Sequence, residues 1–344
     1  MKKTLIASAI AAATFSGSAL AMESASELAA RMDSMPQVYG NIQYAIAHDN
    51  VDGGSSELSH FDNGSTLGVK HDHEIAAGIT GFFKLELEGL NADDKDAEGD
   101  NAGLNELDEA YIGVRGDSFG QLWVGSDDST YESAVQKIAN FYEVASLSQG
   151  SNFTTGEGDL VQYKTPSFGG LTLGAAVEIN GDGDDHNDPG EKAYPYQLAA
   201  VYSADGLTLA AAMDSNDGPG GQNNENTYGV RAAFSADALT VSGEFQTRKD
   251  VSDVFGVQGV YSIGANQFAL SYEVTQYDDN YAGSDAGILA GNDVDTITVQ
   301  ALHNLSDHMY VYFEGYLGGG DDGVYGVANE SERSVASVGG VYYF

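Results

Sequence analysis

The strongest constraint on this chain is a two-residue alternation of side-chain character that recurs in stretch after stretch. From Leu207 to Asp214, Leu207, Leu209, Ala211 and Met213 share one face, while Thr208, Ala210, Ala212 and Asp214 share the other. That is the period of an extended strand, not of a helix. In the stretch around Lys84, Phe83, Leu85 and Leu87 oppose Lys84, Glu86 and Glu88; further on, Val241, Gly243 and Phe245 oppose Ser242, Glu244, Gln246 and Arg248. The last segment puts Val338, Tyr342 and Phe344 on one face and ends on phenylalanine. Each such strand can turn one side to lipid and the other to water.

Sixteen segments carry the pattern, near 37–48, 65–73, 79–90, 106–117, 121–128, 159–166, 171–180 and 193–204, then 207–216, 226–236, 238–248, 253–263, 267–278, 294–305, 309–318 and 334–344. Their connections alternate in length. Short turns such as Ala204-Asp205-Gly206 and Gly264-Ala265-Asn266 carry turn residues. Between them lie longer links at 49–64, 91–105, 129–158, 181–192, 217–225, 279–293 and 319–333, with only Lys249 to Ser252 brief where a long link is expected. An even number of long strands, short turns on one rim and long loops on the other predicts a 16-stranded antiparallel transmembrane β-barrel with periplasmic turns and extracellular loops. A soluble sandwich or propeller also has period-two strands, but it explains neither the alternation of loop lengths nor strands longer than five or six residues.

The first 21 residues combine Lys2 and Lys3, an apolar run and Ala19-Leu20-Ala21, which reads as a secretory signal peptide. Residues 22–36 form a periplasmic arm or a short helix, since Ser24 and Glu27 are spaced as a capping box; the barrel occupies 37–344. No apolar run approaches the roughly 20 residues of a membrane-spanning helix. The formal net charge of −38 excludes nucleic acid as a partner, because phosphate binding needs a positive surface. With no cysteine in an exported chain, a disulfide framework is excluded too.

The stretch Asp159 to Asn180, with Pro166-Ser167-Phe168-Gly169-Gly170 between two alternating strands, resembles the Gram-negative general porins, as do Glu109 to Asp127 and the final GGVYYF. The resemblance implies a sixteen-stranded barrel, usually a homotrimer, whose third extracellular loop folds into the lumen as a constriction. In many members that loop supplies acidic groups and the facing wall a basic cluster. This chain departs from the pattern with Tyr39-Gly40-Asn41 where a lysine is common after Tyr-Gly, with Gly125-Ser126 where an arginine is common, and with Asp108 near another commonly basic position. The usual charge separation across the pore is therefore not expected.

Barrels of about sixteen strands leave an aqueous channel. Within it, Glu86, Glu88, Glu244 and Arg248 are expected to line the wall. The 30-residue stretch Ser129 to Gly158 carries Phe141, Tyr142, Val144, Leu147 and Phe153, which need a wall to pack on. Its acids Glu132 and Glu143, with Asp127 and Asp128 at its root, are the constriction candidates, and Lys70 and Lys84 the basic partners opposite. Fixed charge in a narrow channel enriches counterions, so a cation-preferring passage for small hydrophilic solutes and ions is expected. A sugar-selective pore is the alternative, with Tyr310, Tyr312 and Tyr316 on a wall where ring faces stack on sugars.

No cofactor and no catalytic group are expected. His71-Asp72-His73 lacks a third ligand, and an enzymatic barrel would need a serine or carboxylate beside a histidine at one rim. The acidic loops around Asp93 to Asp100, Asp182 to Glu191 and Asp321-Asp322 can bind Ca²⁺ or Mg²⁺ loosely. Outer-membrane lipid and lipopolysaccharide, bridged by such ions, are the expected surroundings.

Overall fold

In a membrane every backbone N–H and C=O must find a partner within the protein, and a sheet does so only by closing on itself. The computed structural model describes residues 35–93, 103–104, 106–144, 153, 155–179, 194–216, 225–281 and 288–344. The signal peptide and nearly all of the 22–36 arm lie outside the described residues. The strands are β1 Gln37–Val51, β2 Ser56–Asp62, β3 Thr66–Ala76, β4 Ile79–Glu88, β5 Glu106–Gly116, β6 Gly120–Ser126, β7 Leu160–Lys164 and β8 Leu171–Glu178. They continue as β9 Tyr196–Ala204, β10 Leu207–Asp214, β11 Thr227–Ala236, β12 Leu239–Arg248, β13 Ser252–Ile263, β14 Asn266–Tyr277, β15 Asp293–Ser306, β16 Met309–Gly320 and β17 Arg333–Tyr343.

Each strand from β3 onward pairs antiparallel with the next, and β17 returns to β1 from Asn41 opposite Tyr343 to Val51 opposite Arg333. The sheet is a closed barrel. β2 and β3 share one place in it, because β2 pairs with Tyr44–Asn50 and β3 with Gln37–Asn41 of the same strand. The barrel therefore has sixteen positions. The break between them falls at 63–65, where Gly64 takes φ 94°. Asp62 Oδ1 accepts from the backbone of Gly64 and Ser65, and Ser65 Oγ accepts from Gln43 N at 2.8 Å, so a hydroxyl replaces the missing ladder carbonyl.

This corrects the expected long link at 49–64. The first hairpin turns within 52–55, closed by Val51 N on Ser55 O at 2.9 Å, and residues 56–62 are strand. The link after Arg248 is also brief, so two of the outer connections are tight. The strand ends leave long connections at 89–105, 127–159, 278–292 and 321–332, of which 94–102, 105, 145–152, 154 and 282–287 lie outside the described residues, as do 180–193 and 217–224.

Outside, the barrel presents Val230, Phe245, Phe255, Leu270 and Leu317, all exposed. Phe234, Tyr261 and Phe268 stand beside the short turns, with Tyr261 directly opposite Phe268; aromatics at this level suit the lipid headgroup zone. Inside, Ser242, Glu244, Gln246, Ser271, Thr298 and Glu314 are covered. A register slip of one residue would exchange these faces, so burial pins the pairing. The closing seam depends on Gly40. Its amide and carbonyl bond Phe344, and a Cβ there would stand 2.5 Å from Thr66 O and 2.7 Å from the Phe344 ring. Placing a charge on the lipid face tests the assignment: Leu270→Arg should destabilise the folded barrel by about 2–4 kcal/mol in a vesicle refolding titration.

Candidate functional site

The loop after β6 begins with a cap. Ser129 Oγ accepts from Glu132 N at 2.9 Å and starts α1, Thr130–Ala134. From there the chain crosses the lumen along a series of inward amides and carboxylates. Thr130 Oγ1 donates to Gln162 of β7 at 2.6 Å, Tyr131 N to Gln197 of β9 at 3.2 Å, and the Tyr131 hydroxyl to Gln246 of β12 at 3.1 Å. Gln136 Nε2 also donates to Gln246, and Lys137 N donates to Glu244 Oε2 at 3.2 Å. At the far wall Glu314 of β16 accepts Glu143 N at 2.8 Å and Val144 N at 3.0 Å, while its oxygens also take Gln300 and the Tyr316 hydroxyl.

Apolar contacts follow the same path. Tyr131 and Val135 lie against Ala212, where Gly229 leaves the room: a Cβ at 229 would come within 2.6 Å of the Tyr131 hydroxyl. Tyr142 and Val144 pack with Ala45, Ala47, Tyr312, Tyr316, Val335 and Val341 of the inner wall. Phe153 is buried with the Arg248 guanidinium 4.8 Å over its ring. Leu147 lies outside the described residues. The loop is thus held against the wall from β7 round to β17 and narrows the passage.

Placed in this frame, the expected site residues divide. Asp127 accepts from Trp123 Nε1 at 2.7 Å, Asp128 O accepts from Gln162, Glu132 accepts from Asn140 Nδ2 at 2.5 Å, and Glu143 accepts from the Tyr310 hydroxyl at 3.0 Å. Glu86 and Glu88 lie on β4, facing Glu109 and Glu106 of β5 in register. Lys84 does not reach across to the loop acids as expected. Its ammonium is 2.5 Å from Glu109 and 3.2 Å from Glu86, which also accepts from the Tyr39 and Thr66 hydroxyls. Lys70 sits 4.6 Å over the Tyr39 ring. Neighbouring carboxylates, the nearest opposite charges on the same wall, thus take Lys84, while Lys70 rests on an aromatic face.

Glu244 and Arg248 also need correction as lining groups. Both face inward, yet both are buried beneath the loop, where Glu244 holds Lys137 N and Arg248 Nε donates to Thr227 at 2.6 Å. The tyrosine wall is corrected in the same way. Tyr312 and Tyr316 point inward but lie under Tyr142 and Val144, and only Tyr310 keeps an open side. The residues that hold the loop, Gln162, Gln197, Gln246 and Glu314, were not expected. Their only sequence signal is a polar side chain on the inward phase of a strand, a place that water would fill equally well.

Two loop carboxyls are tuned by this packing. Burial pushes Asp127 up to about 6 against the opposing hydrogen bond from Trp123, with Glu109 and Asp128 adding repulsion. Burial also pushes Glu143 up to about 7, opposed by the Tyr310 hydrogen bond and reinforced by Glu314. Among the described residues no group of three His, Asp or Glu side chains is placed to hold a metal ion. The acidic stretches 94–100 and 180–193 lie outside the described residues.

The sequence model described as Gram-negative porin matches residues 7–323. The chain is 30% identical to a monosaccharide porin of a Halomonas species, over 91% of this chain and 94% of that one, and equally to the major outer membrane protein of Halomonas elongata. Among solved structures it is similar to Salmonella typhi OmpF in complex with daunomycin, at TM-score 0.72 and 18% identity over 91% of this chain and 98% of the other. It is similar as well to the anion-selective porin from Comamonas acidovorans, at TM-score 0.70 and 17% identity over 90% and 99%. At these identities the solved structures speak for the fold alone. For the loop, Glu314→Ala should release two charge-assisted backbone bonds, each worth roughly 1.5–3 kcal/mol. Single-channel recording should then give a larger and noisier conductance than the parent.

Proposed function

Because this chain belongs to the Gram-negative porin family and is a multi-pass outer-membrane channel, we propose that its pore is water-filled and cation-preferring, passing small hydrophilic solutes and ions by passive diffusion in a homotrimer. One observation supports the preference above others: near the constriction the ammonium of Lys84 is flanked by Glu86 and Glu109, while Asp127, Glu132 and Glu143 bond to neutral donors. The loop acids therefore keep their charge unbalanced. At physiological salt the screening length is about 8 Å, so such charges act across a narrow passage. Fixed negative charge there raises the local concentration of cations.

A second reading, passage of sugars, is favoured by the half-open Tyr310 on the inner wall and by the relative named a monosaccharide porin. It is compatible with the first, since a sugar carries no charge to be excluded. Lipid, lipopolysaccharide and loosely held divalent ions at the outer loops remain part of the proposal as surroundings of the barrel.

The pH dependence has a definite sign. Glu143 carries its charge above about 7 and Asp127 above about 6, so acidification removes first one and then the other negative charge. In a planar bilayer under a KCl gradient, the reversal potential should indicate cation selectivity at pH 8 that weakens stepwise down to pH 5. Insertions should raise the current in groups of three steps. Anion selectivity at pH 8, or single-step insertions throughout, contradicts the reading.

A further inference from the structure

Below the loop, on the side of the short turns, the inner wall beside the closing seam carries a group of side chains of which Tyr343 stays open to the lumen. Tyr310 of β16 and Tyr343 of β17 stand with ring centroids 6.0 Å apart and planes inclined at 38°. The Tyr310 hydroxyl donates to Glu143 Oε2 at 3.0 Å and lies 3.5 Å from the Tyr343 hydroxyl. Because Glu143 belongs to the lumenal loop, this bond places both rings inside the barrel. Tyr343 remains 42% exposed, so a ring face is open to the channel. Directly across the ladder from Tyr343 is Asn41 of β1, within the 4.5–5.5 Å that separates facing residues. Its Nδ2 donates to Thr66, but its Oδ1 has no hydrogen-bond partner although the residue is only 9% exposed. A covered amide oxygen without a donor is costly in a folded protein.

We propose that this corner binds a monosaccharide in pyranose form as it passes the constriction. The proposal rests on the channel reading above and names a site within that channel. The chemistry matches on three counts. A pyranose has an apolar C–H face, and the ring faces of Tyr343 and Tyr310 offer apolar surface on which it can lie. It has hydroxyl groups at its rim that can donate, and Asn41 Oδ1 and the outer oxygen of Glu143 can accept. The group is neutral, so it enters an acidic lumen without electrostatic cost. Tyr312 and Tyr316, covered by Tyr142 and Val144, take no part.

The test is current blockade of the full chain reconstituted in a planar bilayer, with D-glucose and the open-chain alcohol sorbitol as probes. Glucose should reduce the open-channel current in a saturable way, and sorbitol much less, because it has no ring face to stack. Tyr343→Ala should raise the half-blocking glucose concentration about fivefold, the factor that corresponds to about 1 kcal/mol of lost ring contact. Tyr310→Leu should act in the same direction and serves if the first variant does not assemble. Tyr228→Leu, on the lipid face, should leave blockade unchanged. Open channels that glucose never blocks, equal blockade by sorbitol, or blockade unaltered in both lumenal variants overturns the site while leaving the channel intact. Absence of any conductance would instead defeat the channel reading itself.

Discussion

Closure of the hydrogen-bond ladder between β1 and β17 is the condition on which everything else rests. An open edge in hydrocarbon would expose a row of backbone groups, each costing several kcal/mol. The chain avoids this by ending on a strand that registers against its first, and by letting Gly40 accept the Phe344 backbone and ring together. Once the cylinder is closed, the two faces of every strand have different solvents. The lipid side is then necessarily apolar, and the inside is free to carry the amides and carboxylates that fix a loop.

Those inner groups do two jobs by position. Where the loop lies on the wall, Gln162, Gln197, Gln246 and Glu314 meet its backbone and hydroxyl groups, and the carboxylate of Glu314 is fully covered and fully bonded. Beyond the loop, Glu88 and Glu109 with the largely covered Glu86 set the local charge, and Glu86 and Glu109 hold Lys84 between them. One strand phase thus supplies both the mechanical anchor and the field in the passage. Loop carboxyls such as Glu143 link the two, because the same residue gives its amide to the anchor and its side chain to the lumen.

The strands were legible because lipid imposes a strict alternation that few other environments impose. Segment 56–62 escaped this reading for a physical reason. Ser56, Glu57, Ser59, His60 and Asp62 surround Leu58 and Phe61 with polar groups on both phases, so no apolar stripe marks a strand that ladder bonds to β1 nevertheless hold. The burial of the loop could be inferred from Phe141, Tyr142 and Val144, which needed cover. Its anchors could not, since a glutamine facing bulk water and one facing a loop look alike in sequence. The same limit applied to Glu244 and Arg248: the phase of the strand was readable, but what covers that phase depends on a segment far away in the chain.

The central claim is that the loop from Ser129 onward lies inside the passage and that its carboxylates govern what moves through. The chain has no cysteine, so a single engineered thiol is a unique label. Glu132→Cys in a conducting channel, treated with a cationic methanethiosulfonate reagent, should show a stepwise fall in cation current at each modification, reversed on reduction. Complete labelling with an unaltered current would contradict the account.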